Sequence, residues 1–366
     1  MNFLEVLSRI PDPRDEQRIS FPLADIIFMA VCAVLGGAYC WQDVHDFVSF
    51  HKKWFQKFVC LKQGVPSHDT FRRVFMLVSP KEIEHAFSLW SQSLTIKSSN
   101  QVAIDGKALR GISSNRNGFS SLNFVSAWCR ENGIILGQTA TQAKSNEIKA
   151  IPELLDQLMI RGCLISIDAA GCQKEIVKKI SSKGADYLIA LKANQQTLYD
   201  LSKAHMADKV NNNNKISDGF DESHGRLIRR RVFAAKAPAS FIKMGWNKLA
   251  TIAAVETISQ RELNAEPSVE WRYYITSKPA DDPRIAEYIR NHWSIENNLH
   301  WILDVHMGDD ANRSQERNST LALAALKRVA VNIIKTHDKQ NKSVRRKLKQ
   351  ASWDINHLEK LVLKTR

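Results

Sequence analysis

Along residues 1–98 the apolar positions recur every three or four residues, the spacing of helices packed on one face. A buried helix is predicted over Leu23–Leu35. A second is predicted over Val44–Phe58, with Phe47, Phe50, Trp54 and Phe58 spaced for one face. Pro66-Ser67, a polar turn and a new apolar-periodic run mark a third helix start, which places Arg72 and Arg73 near its beginning. A fourth helix follows Pro80 and runs to about Leu94. The uncharged stretch Ile26–Gln42 has 17 positions, the lower limit for crossing ~30 Å of hydrocarbon. Asp25 and Asp43 bracket it and Gly36-Gly37 interrupts it, so it reads as a core helix and no membrane role is expected. The polar run 95–100 sets a boundary near residue 98.

From residue 101 the period changes to that of strands. Val102–Lys107 is a short apolar run that contains Asp105. Leu122–Arg130 and Gly133–Thr141 are β-rich and are joined by Glu131-Asn132, a hairpin signal. Glu147–Ile160 is a one-faced helix, Cys163–Ile167 an apolar strand ending at Asp168, Gln173–Ser182 a helix, and Tyr187–Leu191 a fifth strand. The order βββαβαβ predicts an α/β fold with one mixed sheet and helices on both faces. Residues 193–283 read as a β-rich insertion: a polar surface loop through Asn211–Asn214, then β-like runs at Arg229–Ala234, Lys248–Thr257 and Trp271–Thr276. A long helix is predicted from Pro283 to about His306, and a last one over Ser319–Lys335. The expected organisation is a helical domain over 1–98 that binds DNA, a catalytic domain over 99–334, and a basic tail over 335–366.

Charge narrows the partner. Lys and Arg number 52 against 38 Asp and Glu, a net of +14. Such an excess attracts polyanions, nucleic acid first and an anionic membrane surface second. The tail alone holds ten Lys or Arg against three acids, and contact with DNA backbone is expected there. None of the six cysteines forms a C-x-x-C pair, and several sit in apolar runs, which points to buried thiols in a reducing compartment. The N-terminal stretch carries acids and lacks the apolar core of a signal peptide, so a cytoplasmic, nucleoid-associated protein is expected.

Three carboxylates stand out by position. Asp105 and Asp168 each end a predicted strand, and open sheets collect ligands at the carboxyl ends of parallel strands. The two converge only if strands one and four are neighbours, which the order βββαβ allows. Asp168 could equally be a helix N-cap. Hard divalent cations take carboxylate oxygens, and paired ions ~3.5–4 Å apart clamp the two oxygens of an in-line phosphoryl transfer. A third acid is then needed, and Glu296 is the best candidate. His292, Glu296, His300 and Asp304 step by four along one predicted helix and form a polar stripe. That stripe could instead be a solvated face, or a zinc set, although no H-E-x-x-H is present.

Here the chain resembles the DDE transposases of bacterial insertion sequences, and more closely the H-repeat-associated type. The matching stretches are Ala-Ile-Asp105-Gly-Lys107-Ala-Leu-Arg-Gly, Ile-Ser-Ile-Asp168-Ala-Ala-Gly-Cys-Gln173, Ser-His224-Gly-Arg226 and His292-Trp-Ser-Ile-Glu296-Asn-Asn-Leu-His300-Trp. The resemblance implies a ribonuclease H-like core, metal ligation by Asp105, Asp168 and Glu296, and Mg²⁺ or Mn²⁺ as cofactor, with two ions. It also implies double-stranded DNA at element ends and target as partner, and a homo-oligomer on DNA. Related transposases place Tyr, Arg and Lys at fixed offsets around the glutamate. Here His292 stands four before Glu296 and Leu303 seven after, so the roles of that Arg and Lys are not carried over. His292, Tyr288 and Arg290 are candidate phosphate contacts in their stead. His300, Asp304, Lys107 and Gln173 are accessory candidates, and Arg72, Arg73, His224, Arg226 and Arg290 are candidate DNA contacts. The helix over 66–76 is a candidate recognition helix.

The expected reaction frees a 3′-hydroxyl at the element end and transfers it to target DNA. Asp105 would bridge both metals, and Asp168 and Glu296 would each hold one. A ribonuclease H-like nuclease or resolvase would share the acids but join no strands. A catalytically silent, domesticated DNA-binding relative would need none of them.

Overall fold

The computed structural model describes residues 5–6, 8–94, 100–109, 122–141, 147–223, 226–260, 266–311 and 316–363. Its centre is one sheet of nine strands: β1 Gln101–Leu109, β2 Leu122–Cys129, β3 Ile134–Thr141, β4 Leu164–Ile167, β5 Asp186–Leu191, β6 Lys215–Ser223, β7 Arg226–Lys236, β8 Thr251–Gln260 and β9 Ser268–Thr276. The spatial order is β3-β2-β1-β4-β5-β9-β8-β7-β6. β1–β4 and β4–β5 are parallel, and the other pairs are antiparallel. The predicted adjacency of the first and fourth strands is therefore present. This is the ribonuclease H-like mixed sheet, and the strands from the insertion continue it through β5–β9 pairing.

Alternation along the strands sorts the side chains into two faces. Val125, Ala127 and Cys129 of β2 meet helices Glu147–Gln157 and Lys174–Ser182 in one core. On the opposite face Phe124 packs with Leu321 and Ala324, and Trp128 joins the core of the N-terminal helices. Helix Arg317–His337 lies along that second face, and the Asn332 amide closes it by bonding the Ile135 backbone both ways, at 2.8 and 2.9 Å.

Helices Leu23–Leu35, Trp41–Phe50, His68–Leu77 and Pro80–Ser93 make the helical start. Eleven of the thirteen residues of Leu23–Leu35 are buried, inside protein and not lipid. Among the described residues no helix is long and apolar enough to cross a membrane. Six free cysteines are present; Cys40 and Cys60 are exposed and the other four buried.

Four local expectations fail, each for a physical reason. The helix predicted over Val44–Phe58 stops at Phe50 and restarts as Lys52–Phe55, so Phe50 points outward, 85% exposed. The polar stretch begins with an unpredicted helix, Gln196–Asn211, and only the turn that follows, with Asn213 at φ 53, is the expected loop. The long helix expected to His306 is α-helical over Ile285–His292, passes through a π turn at Glu296–His300, and resumes over Trp301–Val305. Residues 335–366 are no loose tail: Val344–Trp353 and Ile355–Leu363 are helices, and Leu348, Leu358, Leu361 and Val362 share one core with Leu23–Leu35.

Candidate active site

β1 pairs with β4 from Gln101↔Leu164 to Ile104↔Ile167, and the next residue on each strand is an aspartate. Asp105 and Asp168 thus stand side by side at the carboxyl end of the parallel pair. β1 continues to Leu109 with β2 on one side only, and its other edge opens beyond Ile104. The chain around the π turn covers that edge. His300 Nδ1 lies 3.6 Å from Asp105 Oδ2, and Lys107 Nζ lies 2.5 Å from Asp304 Oδ1. π turns inside helices recur at functional sites.

A cavity of about 520 Å³ is lined by Asp105, Asp168, Glu296 and His292, with Lys192, Arg272 and a set of aromatics that includes Tyr199, Trp271 and Trp293. Asp105 Oδ1 accepts the Gly106 N–H at 2.9 Å. Asp168 Oδ1 accepts the N–H groups of Ala170 and Gly171 at 3.1 and 3.4 Å, capping the turn Ala169–Gly171. The N-cap reading of Asp168 holds through Oδ1, and Oδ2 receives no hydrogen bond among the described residues.

Burial, above all, pushes the Asp105 carboxyl up to about 7, and the charges of Asp168, Glu296 and Glu147 push the same way. Like charges crowd one carboxyl, and a cation would relieve them. Among the described residues no three such side chains form a ready metal cage. The acids surround a cavity, and Mg²⁺ takes only one or two protein oxygens before substrate phosphate and water complete it. The all-oxygen donor set fits a hard divalent cation.

Glu147, the first residue of its helix, was not singled out by sequence; a first-turn acid ordinarily only complements the helix dipole. Its carboxylate lies against Gly106, where an added Cβ would come within 2.6 Å of Oε1. A side chain at this position would have to displace the end of Glu147.

Burial draws the His292 imidazole down to about 4 against the pull of Asp168, and its Nδ1 sits 3.2 Å from Ser166 Oγ on β4. It ties the helix to the sheet from a buried position on the cavity wall. Tyr288 is likewise buried, beneath the Arg284 guanidinium. Burial, then the charges of Lys107 and Arg328, bring His300 to about 3. Gln173 lies outside the cavity wall, its Oε1 accepting from Gln195 Nε2 at 3.4 Å.

A groove of about 950 Å³ adjoins the cavity and shares Arg272, Tyr274, Trp293 and Glu296 with it. Arg130, Arg230, Arg272, Arg290 and Lys335 line it against Glu131 and Glu296. Arg272 lies 4.8 Å over the Trp293 ring and is held by Glu270 at 2.8 and 3.0 Å. Of the candidate DNA contacts whose side chains are described, Arg290 lines this groove. Arg72 and Arg73 both pair with Asp69, at 3.0 and 2.7 Å, on a helix that buries Phe71, Val74 and Phe75. His224 lies outside the described residues, and Arg226 opens β7. Arg130 and Arg272 were not singled out by sequence. The run Trp271-Arg272-Tyr273-Tyr274, basic among aromatics on a strand, was the available signal.

The chain thus combines a mixed ribonuclease H-like sheet, acids at the carboxyl end of its parallel strands, and a basic groove beside them. The "Transposase DDE domain" family model matches residues 82–333, and the "DDE_Tnp_1-associated" model matches residues 4–91. The chain belongs to the DDE transposase family, in its H-repeat-associated branch. It is 36% identical over 368 residues to the "Putative transposase YncI" of Escherichia coli O157:H7, covering 99% of this chain and 94% of that one. It is 35% identical over 365 residues to the "H repeat-associated putative transposase YhhI" of Escherichia coli (strain K12), covering 97% and 96%. A chain from a cryo-EM structure of the piggyBac transposase synaptic complex with hairpin DNA superposes with a TM-score of 0.45 at 9% identity, over 99% of this chain and 78% of that one.

Proposed function

We propose that the chain is an active DNA transposase whose reacting centre is the cavity between Asp105, Asp168 and Glu296. The observation that carries this reading is the convergence of three acids, from two parallel strands and a π turn, on one cavity in which they load charge onto Asp105. These residues would hold divalent Mg²⁺ or Mn²⁺, which supplies Lewis-acid stabilisation of charge at a phosphodiester. The chain's own residues supply the rest. Arg230, Arg290 and Lys335 bind substrate phosphates along the groove, and this contact sets affinity and register but not sequence. Arg272, gripped by Glu270, stands where groove and cavity meet. His292 and the π turn hold Glu296 opposite the two aspartates.

The reaction on this reading is hydrolysis of the phosphodiester at an element end, which frees a 3′-hydroxyl, followed by attack of that hydroxyl on target DNA. No covalent enzyme intermediate is needed. The test is Asp105→Asn, assayed on duplexes carrying the element's own terminal sequence. Mg²⁺-dependent end cleavage and strand transfer should both disappear while duplex binding persists. Cleavage at the parent rate would remove Asp105 from the chemistry.

A further inference from the structure

Past Ile104, β1 has lost β4 as a neighbour and runs on to Leu109. On this stretch the face that carries Asp105 also carries Lys107, two residues on. Lys107 is 7% exposed. A buried ammonium is costly unless paired, and its partners lie across the open edge: Asp304 Oδ1 at 2.5 Å and Asp310 Oδ1 at 3.6 Å. Asp304 belongs to the segment that carries Glu296. Beyond it the chain is pinned again, where Asp309, 1% exposed, pairs with Lys327 at 3.5 Å and Arg328 at 3.1 Å on helix Arg317–His337.

Glu296 itself is exposed, and its carboxylate has no ion pair or hydrogen bond among the described residues. Its position is inherited from its flanks. On the N-terminal side His292 is bonded to Ser166 of β4. On the C-terminal side the tie is Asp304 to Lys107 of β1. Between the two ties lies a π turn, whose register regular α-helical bonding does not enforce.

We infer that Lys107 is a positioning residue of the acidic site: through Asp304 it fixes the gap between the Asp105 strand and the Glu296 segment. This rests on the assignment of Asp105, Asp168 and Glu296 as cation ligands. A lysine that served the core alone would change stability and leave cation binding untouched.

The test uses the full chain and follows Mn²⁺ binding by electron paramagnetic resonance, beside duplex affinity, thermal unfolding and single-turnover end cleavage. Lys107→Met and Asp304→Asn should each weaken Mn²⁺ binding by about 10–100-fold, the usual effect of losing a partner one shell out from a metal. Cleavage should slow on the order of 10²-fold, as for an ångström-scale misplacement. Duplex affinity should hold, and Lys107→Arg should restore most of the Mn²⁺ binding. Parent-like Mn²⁺ binding in both variants overturns the inference, whatever happens to the unfolding temperature. If Lys107→Met does not fold, Asp304→Asn decides alone, since Asp304 is only half-buried. Asp105→Asn is the control. Parent-like Mn²⁺ binding in that variant sinks the acidic-site reading, and the positioning role with it. Loss there with none in the other two sinks the positioning role only.

Discussion

Glu84 offers a perturbation whose sign and size follow from the structure. It is 5% exposed on helix Pro80–Ser93, and its Oε1 accepts the Ala140 N–H at 3.2 Å on the outer strand β3. Burial dominates and lifts its carboxyl to about 8, while the Ala140 bond and the Arg328 charge pull it back in part. An unfolded chain releases this proton near the ordinary 4.5, and the folded chain keeps it to about 8. Across that window the native state binds the extra proton, so raising the pH destabilises it. The slope for one such proton is about 1.4 kcal/mol per pH unit, with a ceiling of roughly 5 kcal/mol once the pH passes 8. Glu84→Gln keeps an oxygen for the Ala140 N–H and removes the titration. Urea unfolding at pH 5, 6, 7 and 8.5 should show the two proteins close together at pH 5. The glutamine variant should be the more stable by several kcal/mol at pH 8.5. Parallel stability curves over this range would refute the claim that Glu84 is held protonated.

Other consequences follow from the same geometry. Gly106→Ala should lower stability by about 1 kcal/mol, the low end for overpacking, because the end of the Glu147 side chain can shift. Adding Glu147→Ala should return most of the melting temperature, and failure of that rescue would show that the clash lies elsewhere. Arg230→Gln and Arg290→Gln should each weaken duplex binding alike for all sequences and reduce the log–log salt slope by about one. A slope unchanged in both variants removes the groove from the DNA path. Arg72→Gln and Arg73→Gln, which do not line the groove, should change that slope less than Arg290→Gln does in the same titration.

The core of the fold was legible because its signals are local and redundant. Asp105 and Asp168 end short apolar runs, and the order of strands and crossover helices leaves few ways to place them apart. The Glu131-Asn132 turn marked its hairpin without ambiguity. Where sequence reading failed, a tertiary contact had overridden a local pattern. Phe50 has the right spacing for the core, yet the break at His51 turns it out. The His292–Glu296–His300–Asp304 stripe assumes a continuous α-helix, and a π turn cannot be read from spacing. The helix also ends at His292 and turns at Trp293, and beyond that break Glu296 is exposed while His292 is buried. The groove arginines come from β7, β9, the end of β2 and helix Ile285–His292, and only the sheet order assembles them. Residues 335–366 looked like a solvated tail because their charges outnumber their apolar positions, although Leu348, Leu358 and Leu361 kept helical spacing.

The shared core of the first and last helices also orders events during synthesis. Trp54 donates its indole N–H to Glu359 at 2.6 Å across 305 positions of chain. At about 5–20 residues per second, the ribosome needs roughly 15–60 s to make the second partner after the first. Through that interval the helix Leu23–Leu35 is made but lacks the cover of Leu358, Leu361 and Val362. A nascent chain halted at about residue 340 would carry every acid of the site and still lack the last part of that helix's cover. Helices Val344–Trp353 and Ile355–Leu363 therefore add their share of this core only after the sheet and its acids have been made.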